Sequence, residues 1–175
     1  MKNKNKLSFL FGYLALASGS IWFGAYIARL LTTYQMFEET ELVLKNFINS
    51  TNLPAIVEVL SPLVILTFIS YLILIVSFTL FLIFCHIKLK ENGWLFIIAL
   101  IIYITLPLES ILLVTDYKLM VLFINEQFSS EKVLELVIER ISKLSSFPII
   151  HILSYLTIPY FLIFKPFTVK VKDEN

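Results

Sequence analysis

The chain is 175 residues long, 58% hydrophobic and 15% charged, with a mean hydropathy of +0.87 and a formal net charge of +1. A soluble domain of this length would be nearer half apolar and a quarter charged, so the composition leaves too little polar surface for a water-soluble globule and points to a bilayer as solvent. The balanced charge selects no polyanionic partner, and the single cysteine, Cys85, excludes an intrachain disulfide and any CxxC metal or redox motif.

Residues 1–6 are polar and carry three lysines; residues 7–31 then form an apolar run in which Arg29 is the one charged residue. This opening resembles a secretory signal peptide, with Ala15-Leu16-Ala17 where a cleavage site would fall. The apolar run continues for fourteen residues past Ala17, which fits an uncleaved signal-anchor helix better. Ser20, Gly24 and Ala28 are spaced four apart and stack on one helical face. Small side chains there let another helix approach closely, so they predict a packing face, within the chain or between copies.

Residues 32–52 are more polar, and a short amphipathic helix is predicted over 37–49. Glu38, Glu39 and Glu41 would favour the positive end of its dipole, and Phe37, Leu44, Phe47 and Ile48 would form its apolar side. Asn49-Ser50-Thr51 matches a glycosylation sequon, a three-residue pattern of low specificity. Residues 53–85 contain only Glu58 as a charged group. One helix of that length would measure ~50 Å, too long for a simple crossing. Pro54 and Pro62 therefore predict a second crossing over 63–85, preceded by a kinked or interfacial lead-in that holds Glu58. Cys85 at its end reads as a small buried hydrophobe.

A polar turn over 86–93 leads to the third crossing, 94–114, which would rise ~31 Å as a helix. Glu109 is its one charged side chain, and Pro107 predicts a kink. Residues 115–125 read as a mixed exit. A second amphipathic helix is predicted over 130–145, capped by Ser129 or Ser130, with Leu134, Val137, Ile138, Ile141 and Leu144 on one face. Glu131, Glu135 and Glu139 align on another face, and Glu139 can pair with Lys143. The fourth crossing is 147–164, with Pro148 near its start and Pro159 near its end. No repeat or linker divides the chain. The expected fold is a single all-α four-helix transmembrane bundle with two extracytoplasmic connections carrying the short amphipathic helices.

Four crossings put both termini on one side, together with Lys2, Lys4, Lys6, Lys88, Lys90, Lys165, Lys170 and Lys172. Lysine and arginine in short loops set topology, so that side is expected to be cytoplasmic, in a cell (inner) membrane. This orientation brings Arg29, Glu58, Glu109 and His151 to a similar level near the outer boundary, the two last about 8 and 6 Å deep. Three readings follow, the plainest being that the groups simply snorkel to water. Arg29 and Glu109 pair to fix helix register, with His151 hydrogen-bonded to backbone or headgroup. Alternatively, the four line a polar pocket open to the outer leaflet, which binds a lipid headgroup or anionic ligand through Arg29 or relays protons through Glu109 and His151.

Other chemistry finds no foothold. His86 and His151 fall near opposite faces and cannot ligate one haem together. There is no HExxH metal spacing, no phosphate-cradling glycine loop and no GxSxG elbow, so no metal and no cofactor are expected. The basic residues are sparse and not interleaved with stacking aromatics, which argues against nucleic acid. The expectation is a non-enzymatic structural or accessory component that packs against a membrane-protein partner or a second copy. The alternative is a transporter-like or lipid- or small-ligand-binding protein.

Overall fold

The computed structural model describes residues 2–38, 42–125, 128–144 and 146–169. Among these, the chain is all helical: α1 (Lys2–Tyr34), α2 (Leu53–Glu58), α3 (Leu60–Phe84), α4 (Gly93–Ile124), α5 (Ser130–Lys143) and α6 (Phe147–Phe164). Four stretches are long and apolar enough to cross a membrane: Lys6–Tyr34, Leu53–Phe84, Gly93–Ile124 and Phe147–Phe164. Their outer surfaces carry large apolar side chains such as Phe9 (80% exposed) and Ile163 (73%), which water would penalise and hydrocarbon would not.

Each long helix buries one stripe. On α4 the stripe runs through Leu95, Ile98, Ile102, Thr105, Glu109, Leu112, Asp116 and Leu119, alternating steps of three and four residues. Helix α1 lies antiparallel along α3: Phe11 stacks on Phe84, Gly12 faces Phe81, Gly19 faces Leu74, and Arg29 reaches Thr67. Buried hydroxyls on these helices, including Ser18, Thr67, Ser77 and Thr105, donate to carbonyls one turn back in their own helix. These hydroxyls are thereby satisfied without water.

The core divides into two apolar clusters. One joins Ala15, Trp22, Tyr71, Leu74, Phe78, Leu95, Ile98 and Tyr155 in the half that holds the start of α1. The other joins Met36, Phe37, Leu53, Val57, Leu60, Leu119, Val133 and Val137 beneath α2 and α5. At the first end the segment after α6 is strapped to the α3–α4 loop: Gly93 N donates to Phe167 O at 3.0 Å, and Val169 N to Glu91 O at 2.9 Å. Position 93 must be glycine there, because a Cβ would sit 2.8 Å from Phe167 Cβ.

Several boundaries differ from the sequence expectation. Helix α4 continues ten residues past 114, so the expected exit over 115–125 is helical to Ile124. Asp116 and Lys118 lower the hydropathy there, but Leu119 is fully buried in the second cluster and pulls the helix onward. The lead-in before the second crossing is also helical: α2 and α3 run end to end, joined at Val59. The expected helix over 37–49 is not formed in its described residues. Phe37 instead bridges Leu44 in antiparallel fashion, and Lys45 N donates to Met36 O at 3.0 Å. Glu39 and Glu41, assigned to the start of that helix, lie outside the described residues.

The small-residue face is little used within the chain: Ser20, Gly24 and Ala28 are exposed, and a Cβ on Gly24 would meet nothing within 4 Å. Within the chain, α1 packs through Gly12, Ala15, Ser18, Gly19, Trp22 and Ala25, because the aromatic mass of Trp22 and Tyr26 sits on that side.

Candidate functional site

Between the two apolar clusters lies a layer of buried charge. Arg29 from α1, Glu109 and Asp116 from α4, Arg140 from α5 and His151 from α6 are all at most 9% exposed. Glu109 and Asp116 are seven residues apart, two helical turns, and so share the inward face of α4. Arg140 occupies the buried face of α5 with Val133, Leu136 and Val137.

Asp116 is the hub. Its Oδ1 accepts from Arg29 Nη2 at 2.6 Å and from Arg140 Nε at 2.7 Å. Arg140 Nη2 lies 3.7 Å from Glu109 Oε1, and Glu109 Oε2 lies 3.4 Å from His151 Nδ1. Arg29 Nη1 also donates to Thr67 Oγ1 at 3.4 Å, which joins α3 to the network. Two guanidiniums and two carboxylates cancel formally, as a buried set must if it is not to leave an uncompensated charge. Burial alone would lower the pKa of the Arg140 guanidinium, but the adjacent Asp116 and Glu109 outweigh it and raise the value, so Arg140 is held charged.

His151 sits in a box of rings. Its imidazole centroid is 5.0 Å from Trp22, 5.5 Å from Tyr26, 4.8 Å from Phe147 and 4.7 Å from Tyr155. Tyr26 also lies beneath the Arg140 guanidinium, 5.7 Å from its centroid. Tyr26 therefore contacts both the guanidinium of α5 and the imidazole of α6, and its ring face favours the guanidinium's positive charge.

The sequence grouped Arg29, Glu58, Glu109 and His151. Three of these meet in the charged layer. Glu58 does not: it is exposed at the end of α2, on the side turned away from Val57, which is fully buried. The direct Arg29–Glu109 pair is replaced by Arg29–Asp116, and His151, expected to bond backbone or a headgroup, has no hydrogen-bond partner among the described residues at either ring nitrogen and lies beside Glu109 within the ring box. Asp116 and Arg140 were missed because both were placed in polar exits and surfaces. Two signals were available: the seven-residue interval from Glu109 to Asp116, and the position of Arg140 three residues after Val137 on the apolar face of α5.

The layer is nearly solid. A cavity of about 20 Å³ touches Arg29, Arg140, Tyr26 and Thr33, which is room for about one water molecule. Among the described residues, no group of three or more His, Cys, Asp or Glu side chains has the arrangement of a metal site. A larger cavity, about 340 Å³, lies in the other half between α1, α3, α4 and α6 and is lined almost wholly by apolar side chains. Comparison of the chain with protein-family models, with curated proteins and with solved structures finds no match.

Proposed function

We propose that this chain is a non-enzymatic integral membrane component of structural or accessory type, acting through helix packing. One observation carries the reading: the two buried guanidiniums, Arg29 and Arg140, both bond to Asp116, with about one water's volume beside them. A site built for substrate would leave donors aimed at an open volume. Here the charge ties α5 across the ends of α1 and α4, so it supports a fixed arrangement of the outer cap rather than turnover or passage. The competing reading, a polar pocket for headgroup, ligand or proton, draws less support. Glu58 is absent from the layer, and Arg29 is paired with Asp116.

On this reading the partner surface is the outer face of α1 at Ser20, Gly24 and Ala28, which the chain's own helices leave uncovered. It suits a helix of a membrane-protein partner or of a second copy. The end that holds Lys88, Lys90 and Lys165 faces the cytoplasm in a cell (inner) membrane, following the lysine bias of short loops. Purification of the full chain in mild detergent tests the packing role. A stoichiometric partner or homo-oligomer that is lost on Gly24→Leu, with the thermal midpoint unchanged, is expected. A monomer in which Gly24→Leu alters nothing would overturn the proposal. Thiol labelling of a cysteine placed at Val169 tests orientation: labelling from outside intact cells would reverse it.

A further inference from the structure

We propose that the 340 Å³ cavity is a binding site for one acyl chain of an anionic phospholipid, entering sideways between α1 and α6. The proposal rests on the chain lying in a bilayer, and not on the packing role. The cavity volume falls at the lower end of ordinary ligand pockets, roughly 300–1,000 Å³. Its floor is Leu74, Phe78 and Phe81 of α3 with Leu95 and Ile98 of α4, and no charged side chain lines it. Along this stretch α1 contributes the small residues Gly12, Ala15 and Gly19 to the lining, beside Leu16 and Phe23. Gly12 and Gly19 face Phe81 and Leu74, where added Cβ atoms would lie 3.1 and 3.3 Å away, and Ala15 lies between them.

The opening has a direction. Leu16 and Ser20 on α1 and Leu156 and Pro159 on α6 line the cavity yet are exposed, so the gap between those helices leads outward from it. Both helices are apolar there, so the opening lies at the depth of lipid tails, where water is absent. A linear hydrocarbon chain is the species that surrounds such an opening.

The headgroup preference comes from the end of the cavity nearest the 85–92 loop. Trp94 lines the cavity, and Lys165 Nζ lies 5.5 Å above its ring. Lys165 follows the lining residue Leu162 by three positions, just past the end of α6, and Lys90 is exposed in the loop strapped to the same segment. A tail seated against Trp94 would therefore emerge beside positive charge, which selects a phosphate carrying net negative charge over a zwitterion.

The test uses the full chain in phosphatidylcholine vesicles doped with phosphatidylglycerol carrying brominated acyl chains, read by tryptophan fluorescence. Trp22 and Trp94 are the two tryptophans, so the wild-type signal minus that of Trp94→Phe isolates the cavity. Quenching that saturates at low brominated-lipid fraction is expected. It is expected to be lost in Ala15→Phe, which fills the volume, and weakened in Leu156→Phe, which narrows the opening at an exposed position and so keeps the bundle intact. Lys165→Gln should raise the half-saturating fraction of phosphatidylglycerol by about fivefold, toward that of brominated phosphatidylcholine, with the plateau retained. Quenching that grows in proportion to brominated lipid without a plateau, and equally in all variants, would overturn the site. Equal half-saturation for the two lipids in the wild type would overturn its anionic selectivity. Loss of quenching together with a dimer would assign the groove to a second copy instead.

Discussion

The two halves of the bundle solve the problem of the interior in opposite ways. In the half beneath α5, five ionisable side chains from four helices meet with about 20 Å³ to spare, and each carboxylate lies within 4 Å of a cation or the imidazole. In the half nearest the 85–92 loop, the helices meet through aliphatic and aromatic side chains and leave about 340 Å³. Charge at low dielectric demands close partners in fixed directions, because an unpaired buried ion costs several kcal/mol. Dispersion contacts are individually weak and undirected, so an apolar half tolerates a gap that a charged half cannot. Rigidity and vacancy in this molecule therefore segregate by chemistry along the helix axes.

The contrast breaks most severely at Asp116. Asp116→Ala leaves Arg29 and Arg140 facing each other without their shared acceptor. A loss of about 3–5 kcal/mol is expected, read as a large fall in thermal midpoint in detergent. If the midpoint hardly moved, the charged layer would not be holding the bundle. Arg140→Ala should cost less, about 3 kcal/mol, because Asp116 keeps Arg29. Its distinctive effect is local: α5 loses its polar tether and keeps only Val133, Leu136 and Val137, so proteolysis of the connection between α4 and α5 should quicken while α1 and α3 stay protected. Uniform sensitivity along the chain would deny α5 that separate role.

The same contrast explains what could be read from the chain alone. Four helices long and apolar enough to cross a membrane were legible because long apolar runs with few charges stand out in a sequence, and the fourth run, 147–164, coincides with α6. The level of Arg29, Glu109 and His151 was legible because isolated ionisable groups stand out against apolar neighbours. Asp116 and Arg140 do not stand out: each sits among other polar residues, Lys118 beside the first and Glu139 beside the second, and composition suggests water for both. Only the fold shows that α4 runs on past the apolar layer and that α5 lays its one buried cation against it. The 37–49 segment was misread for a related reason. Its apolar residues fit helical spacing, but Met36, Phe37 and Ile48 are drawn into the cluster beneath α2 and α5, and the turn that inserts them forms a bridge in place of a helix.

In the apolar half the expected response has the opposite sign. Ala15→Leu adds side chain where volume is already present, so it should raise the thermal midpoint of lipid-free protein in detergent, by the equivalent of about 0.5–2 kcal/mol. A fall comparable to that of Arg140→Ala would mean the volume cannot be filled from α1, and that the two halves are equally tightly determined.

The smallest expected effect lies on the exposed side of α5, where charge is paired in water rather than buried. Lys143 Nζ meets Glu139 Oε1 at 2.5 Å, one helical turn apart, and that hydrogen bond holds the Glu139 carboxyl below its ordinary range. A lowered folded-state value means the pair stabilises above the unfolded-state pKa and is lost as pH falls through the folded one. Glu139→Gln should therefore lower the midpoint slightly at neutral pH, and the difference from wild type should vanish in acid. Salt should shrink the neutral-pH difference, because exposed charges are screened, while leaving the cost of Asp116→Ala nearly intact. If both variants responded to salt alike, water would reach the Asp116 layer as freely as it reaches Glu139, and the distinction between a buried charged half and a solvated surface pair would fail.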